Sequence, residues 1–131
     1  MRDTVGLTGL QLALLQVLWS RDEASTQDVW EALAAERGLA LTTVATLLSR
    51  LERKGIVVHR QVGRQYVYRA AVTRAEVRRS KVRDLTATLF GGDAAALVSH
   101  LVRAEDVDDQ ELQRIRTLLE EAAAAESGRD A

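Results

Sequence analysis

The segment from Ala40 to Ala70, ALTTVATLLSRLERKGIVVHRQVGRQYVYRA, constrains the fold more than any other part of the chain. Val44, Leu47, Leu48 and Leu51 recur at i, i+3, i+4 and i+7 and so form one apolar stripe on a helix. Each residue turns a helix by about 100°, so the opposite face carries Thr42, Thr46, Ser49 and Arg53, flanked by Thr43 and Arg50. The spacing predicts a helix over about 42–54, with Gly55 as its left-handed stop. IVVHRQV and QYVYRAA follow, rich in β-branched and aromatic residues and separated by Gly63-Arg64, which predicts a hairpin over about 56–70. A polar face of short hydroxyls and arginines, rather than long solvating charges, lets another backbone come close. Those residue types read base edges in a DNA major groove and hold its phosphates.

Charge singles out the same segment. The net charge of −1 divides unevenly along the chain. Residues 1–39 hold three arginines against six acids (−3), and residues 91–131 hold four against ten (−6). Residues 40–90 hold eleven Lys or Arg against Glu52, Glu76 and Asp84 (+8). A basic middle implies a polyanionic partner. The alternative is that basic and acidic parts pair with each other.

At 131 residues the chain is one domain, or a small domain with a helical appendix. Hydrophobic residues make up 47% but aromatics only 4%, so the core must be aliphatic. The absence of proline suits a mainly helical chain, and the absence of cysteine excludes disulfides and thiolate metal sites. No cofactor or metal is expected. The N-terminal MRDTVGLTGLQ lacks the basic-then-apolar pattern of a signal peptide, and no apolar run approaches the roughly 18 residues of a membrane span. These features predict a cytoplasmic protein without membrane insertion.

Thr8 and Gln11 form a capping-box pattern ahead of a helix over about 9–20, and Ser25 with Asp28 repeats it before a second helix stopped by Gly38. Three helices and a hairpin in this order spell a winged helix-turn-helix, with Leu7 a candidate for a short third strand. Thr73 and Glu76 open a long basic helix closed by Gly91-Gly92. Asp93 opens a short apolar helix with Leu97, Val98, Leu101 and Val102. Asp108 and Glu111 open a last helix with Leu112, Ile115, Leu118 and Leu119 on one face, and the tail AAAAESGRDA is expected to fray. The expected class is mainly α with a small β wing (α+β). The expected parts are a winged helix-turn-helix over 1–72 and C-terminal dimerisation helices over 73–131.

A winged helix of this size cannot cover three further apolar helices. A second copy is the simplest partner for Leu97, Val98, Leu101, Leu112, Ile115, Leu118 and Leu119, the other reading being that they fold back on their own chain. A homodimer pairs two readers with two half-sites, which implies an inverted-repeat operator in double-stranded DNA.

The runs LTGLQLALLQVLWS, LTTVATLLSRLERKGIV, GRQYVYRA and LFGGDAAALVSHLV together resemble the penicillinase-repressor (BlaI/MecI and CopY) family from about Leu7 to about Leu119. The resemblance implies a dimeric winged-helix transcriptional repressor that joins through its C-terminal helices. It implies groove contacts from Thr42, Thr43, Thr46 and Arg50 and a wing tip at Gly63 and Arg64. Penicillinase repressors are released when a membrane sensor-protease pathway triggers cleavage at an Asn-Phe bond in the helix after the glycine pair. This chain has His100-Leu101 at that place and lacks the C-terminal cysteine cluster of the copper-responsive branch. His100-Leu101 is thus the candidate position for regulatory cleavage by such a sensor-protease pathway, but the residues support neither release mechanism.

Each candidate residue has a bland reading too. Arg50 and Arg53 can solvate a helix end, the threonines can cap or fill, and Arg64 can be an ordinary turn residue. Arg78, Arg79, Lys81 and Arg83 can supply field and phosphate contacts or form a solvated face. Trp19 and Trp30 read as core anchors, and His59 and His100 as structural. No Ser-His-Asp set, phosphate-cradling glycine loop or paired buried carboxylates can be assembled, which argues against an enzyme. The reading that remains is a sequence-specific DNA-binding repressor. The alternative is a winged-helix protein–protein interaction module without sequence-specific DNA binding.

Overall fold

The structure is a computed structural model that describes Thr4, residues 6–104 and residues 106–130. In chain order the elements are α1 (Gly9–Arg21), β1 (Ala24–Ser25), α2 (Thr26–Arg37), α3 (Leu41–Arg53), β2 (Val57–Val62) and β3 (Gln65–Ala70). Three helices follow: α4 (Arg74–Phe90), α5 (Ala94–Arg103) and α6 (Asp109–Asp130). Among the described residues no single helix is long and apolar enough to cross a membrane.

Side-chain caps set most of the helix starts. The Thr8 hydroxyl accepts from the Gln11 amide at 3.2 Å, and the Gln11 side chain accepts from the Thr8 amide at 3.0 Å. Ser25 and Asp28 make the same reciprocal pair, both bonds at 3.1 Å. The Ser25 amide, and then its hydroxyl, hold the Asp28 carboxyl below its ordinary pKa. Thr73, Asp93 and Asp108 each accept from the amide three residues on, at 3.0, 3.1 and 2.8 Å. The exception is α3, where Ala40 occupies the cap position with no side-chain hydrogen bond and the helix starts at Leu41.

The sheet has the order β1-β3-β2 and is antiparallel throughout. β2 and β3 pair from Val57↔Ala70 to Val62↔Gln65, joined by a two-residue turn at Gly63-Arg64. Gly63 has φ +62° whereas Arg64 is not in the positive region, the pattern of a type II′ hairpin. The third strand is not at Leu7. It is the two-residue β1, paired to β3 as Ala24↔Tyr68 and Ser25↔Val67. Leu7 instead buries its side chain in the core, and its carbonyl accepts from the Lys81 ammonium.

The chain divides into two compact units, Met1–Asp84 and Leu85–Ala131. The first has an aliphatic core of Leu14, Leu15, Leu18, Val29, Val44, Leu48, Leu51 and Ile56, all at 0 or 1% exposure. Trp19 and Trp30 border it half-buried, and their indole N–H groups donate to the carbonyls of Val72 (2.9 Å) and Leu39 (2.6 Å). Each tryptophan thus staples a connection to a helix, as expected of anchors. Arg74 lies over the Trp19 ring at 5.4 Å, and Val77 is buried, so the first turns of α4 belong to this unit.

In the second unit no described residue is buried. Gly91 and Gly92, with φ +58° and +87°, stop α4, and the Gly92 amide donates to the Thr86 carbonyl at 3.0 Å. Helix α6 runs on to Asp130, whereas the sequence led us to expect a frayed tail. Ala122–Ala125 are the strongest helix formers, and they carry the helix past Gly128. Ala131, the last residue of that tail, lies outside the described residues.

Candidate nucleic-acid interface

Helix α3 separates its faces cleanly. Val44, Leu48 and Leu51 are fully buried and Leu47 half-buried, whereas Thr42, Thr43, Thr46, Ser49, Arg50 and Arg53 are all exposed. A buried stripe on one side fixes the rotation of the helix, so the hydroxyl and arginine face is presented as a rigid surface. The Thr46 hydroxyl donates to the Thr42 carbonyl at 3.0 Å. Its one donor is then used within the helix and its lone pairs remain outward as acceptors.

The β2–β3 hairpin forms a wing whose tip carries exposed Gly63 and Arg64. Two side-chain links hold it at its base. Glu52 of α3 contacts His59 Nδ1 on β2, and the His59 ring stacks on Tyr66 at 4.2 Å and 21°. Tyr68 completes the cluster at 5.5 Å from His59; burial pushes its phenol pKa up, with the Glu52 and Tyr66 charges adding to it. On the other hairpin face Arg60 grips Glu23 in the α1–β1 corner, with Nε–Oε2 at 3.0 Å and Nη2–Oε1 at 2.5 Å. The hydrogen bond from Arg60 holds the Glu23 carboxyl below its usual range, and the same bond raises the Arg60 guanidinium. His59 is therefore a structural side chain that orients the wing. Part of the basic and acidic charge does pair internally, but Arg50, Arg53 and Arg64 stay exposed on the face described.

Between the wing and the first turns of α2 and α3 lies a cleft of about 510 Å³, lined by Thr26, Gln27, Leu41, Gln61, Arg64 and Tyr66 among others. Leu41 and Tyr66, which line this cleft, were not among the candidate residues of the sequence reading. Leu41 extends the Val44-Leu47-Leu48-Leu51 stripe one turn towards the N-terminus, so periodicity reads it as core.

The family model for penicillinase repressor matches residues 7–121. The chain belongs to the penicillinase-repressor family. The transcriptional regulator BlaI of Mycobacterium tuberculosis is 37% identical over 126 residues, 94% of this chain and 89% of the relative. The solved DNA-binding domain of the repressor BlaI aligns at a TM-score of 0.52 with 25% identity, covering 58% of this chain and 93% of the domain. A second solved structure, the monomeric form of Bacillus licheniformis BlaI in complex with the blaP half-operator, aligns at a TM-score of 0.50. It too is 25% identical and covers 58% of this chain and 93% of that one. The winged helix is thus the fold of this penicillinase-repressor chain.

The repressor's other candidate residues lie in the second unit. On α5, Leu97 is half-buried while Val98, Leu101 and Val102 are exposed. On α6, Leu112 and Ile115 are half-buried, with Leu118 and Leu119 at 60% and 62% exposure. His100 and Leu101 sit inside the regular helix α5, the His100 ring tilted by 59° against Phe90 at 6.0 Å.

Proposed function

We propose that this chain is a sequence-specific DNA-binding transcriptional repressor that works as a homodimer on an inverted-repeat operator. The observation that carries the reading is α3: one face buried, the other an exposed array of Thr42, Thr43, Thr46, Ser49, Arg50 and Arg53 beside the wing. Hydroxyls and guanidinium groups at fixed heights on a rigid helix are suited to base edges. Arg64 at the wing tip and Arg53 at the helix end supply phosphate or minor-groove contacts. The half-operator complex of Bacillus licheniformis BlaI supports the same use of the same fold. Leu97, Val98, Leu101, Leu112, Ile115, Leu118 and Leu119 form the surface for the second copy, in a helical unit that buries none of its described residues.

The test is DNA binding by the full chain across salt concentrations. Specific affinity should fall steeply with salt, because each neutralised phosphate releases condensed counterions. Arg50→Ala or Thr46→Val should each lower affinity for a mapped operator by roughly 1–3 kcal/mol with the fold intact. If both variants bind that operator as the wild type does, α3 is not the reader. A salt-insensitive, sequence-blind protein would instead be an interaction module.

A further inference from the structure

Within Met1–Asp84 the described large apolar side chains that stay exposed are few. They are Leu41, Val62 and Tyr66 on α3 and the wing, at 42%, 45% and 48% exposure, and Val82 on α4 at 53%. Leu41 is the least expected of them. Its neighbours Leu39, Val44 and Leu47 pack with the core, yet Leu41 does not join it. It is the first residue of α3 and lines the cleft opposite the wing residues Arg64 and Tyr66. Its side chain is therefore open to an apolar contact from whatever enters the cleft.

The geometry of a duplex says what enters that cleft. One sugar–phosphate strand divides a major groove from the next minor groove, so a protein with a helix in one and a wing in the other must seat that strand between them. The N-terminal residues of a groove helix face base edges, and the apolar feature among those edges is the thymine 5-methyl group. Resting on the DNA-binding reading above, we propose that the cleft seats the dividing strand and that Leu41 packs on a thymine methyl group at its major-groove side. Leu41 is then a specificity-determining residue of a kind different from Thr46 or Arg50. It reads the methyl that distinguishes thymine, whereas they read hydrogen-bonding groups.

The experiment uses the full chain and a duplex selected by it from a random-sequence pool, remade with each thymine in turn replaced by deoxyuridine. At one thymine in each half-site the wild type should lose about fourfold in affinity, the effect of returning one methyl group to water. Leu41→Ala should bind the thymine and deoxyuridine duplexes equally, and Leu41→Met, which keeps an apolar contact, should keep the difference. Circular dichroism checks that both variants fold. The assignment is overturned if the wild type tolerates deoxyuridine everywhere, or if Leu41→Ala shows the same penalty as the wild type. If the pool yields no preferred duplex, the DNA-binding reading itself has failed and Leu41 falls with it. A preferred duplex with no methyl effect sinks the Leu41 assignment alone.

Discussion

The two compact units solve the same problem in opposite ways. In Met1–Asp84 every helix of the winged helix hides a stripe, and the described fully buried large side chains lie between Leu7 and Val77. In Leu85–Ala131 the helices are as regular, but Leu85, Leu89, Val98, Leu101, Val102, Leu118 and Leu119 remain open. Isolated helices of ten residues, such as α5, are marginal in water. On the proposed reading, a second copy covers what this unit leaves open. On the reading proposed above, the unit that buries its own stripes reads DNA and the unit that leaves them open assembles.

The contrast can be broken most severely through the core. Leu48, at 0% exposure, faces inward from the same helix whose outer side is the candidate reader. Leu48→Ala should cost about 2–5 kcal/mol in chemical denaturation. A loss within about 0.5 kcal/mol, typical of a surface site, would mean that the winged helix does not depend on this stripe.

The open unit is tested by charge. Leu112→Asp or Leu118→Asp should give monomers, measured as a halved mass in light scattering, while leaving the winged helix folded. A dimer mass surviving both changes would refute the C-terminal interface.

A smaller effect sharpens the first unit alone. Folding lowers the Asp28 pKa from its ordinary 3.8, so its contribution is present above that value and is lost as pH falls through the lowered one. Wild-type stability should therefore drop on acidification below about pH 4 partly through this cap, and Asp28→Asn should show less of that drop. Denaturation curves at about pH 7 and about pH 3 measure it. Equal losses for the two proteins would remove Asp28 from the acid response.

What the sequence disclosed follows the range of the interaction. The caps at Thr8, Ser25, Thr73, Asp93 and Asp108 act over three residues, and the α3 stripe over seven, so both are periodic or patterned in the chain itself. The exposed hydroxyl and arginine face was legible for the same reason. Strand β1 was not, because two residues have no period and Ala24-Ser25 becomes a strand only by meeting Tyr68 and Val67. Glu23–Arg60 and Glu52–His59 join segments that no local pattern connects, so the orientation of the wing had no signature. Leu41 was hidden differently: beside a hydrophobic stripe a leucine reads as core, and only its exposure separates it from Val44.

The Trp30 bond to the Leu39 carbonyl has a thermodynamic consequence. Together with the left-handed Gly38, it fixes the corner between α2 and α3 before any ligand arrives. If α3 is the reader, as proposed, it has no folding to complete on association. The heat-capacity change on binding should report the contact surface alone, free of the extra burial that accompanies a segment ordering as it docks. Affinity then goes into discriminating sequences rather than into assembling the instrument that reads them.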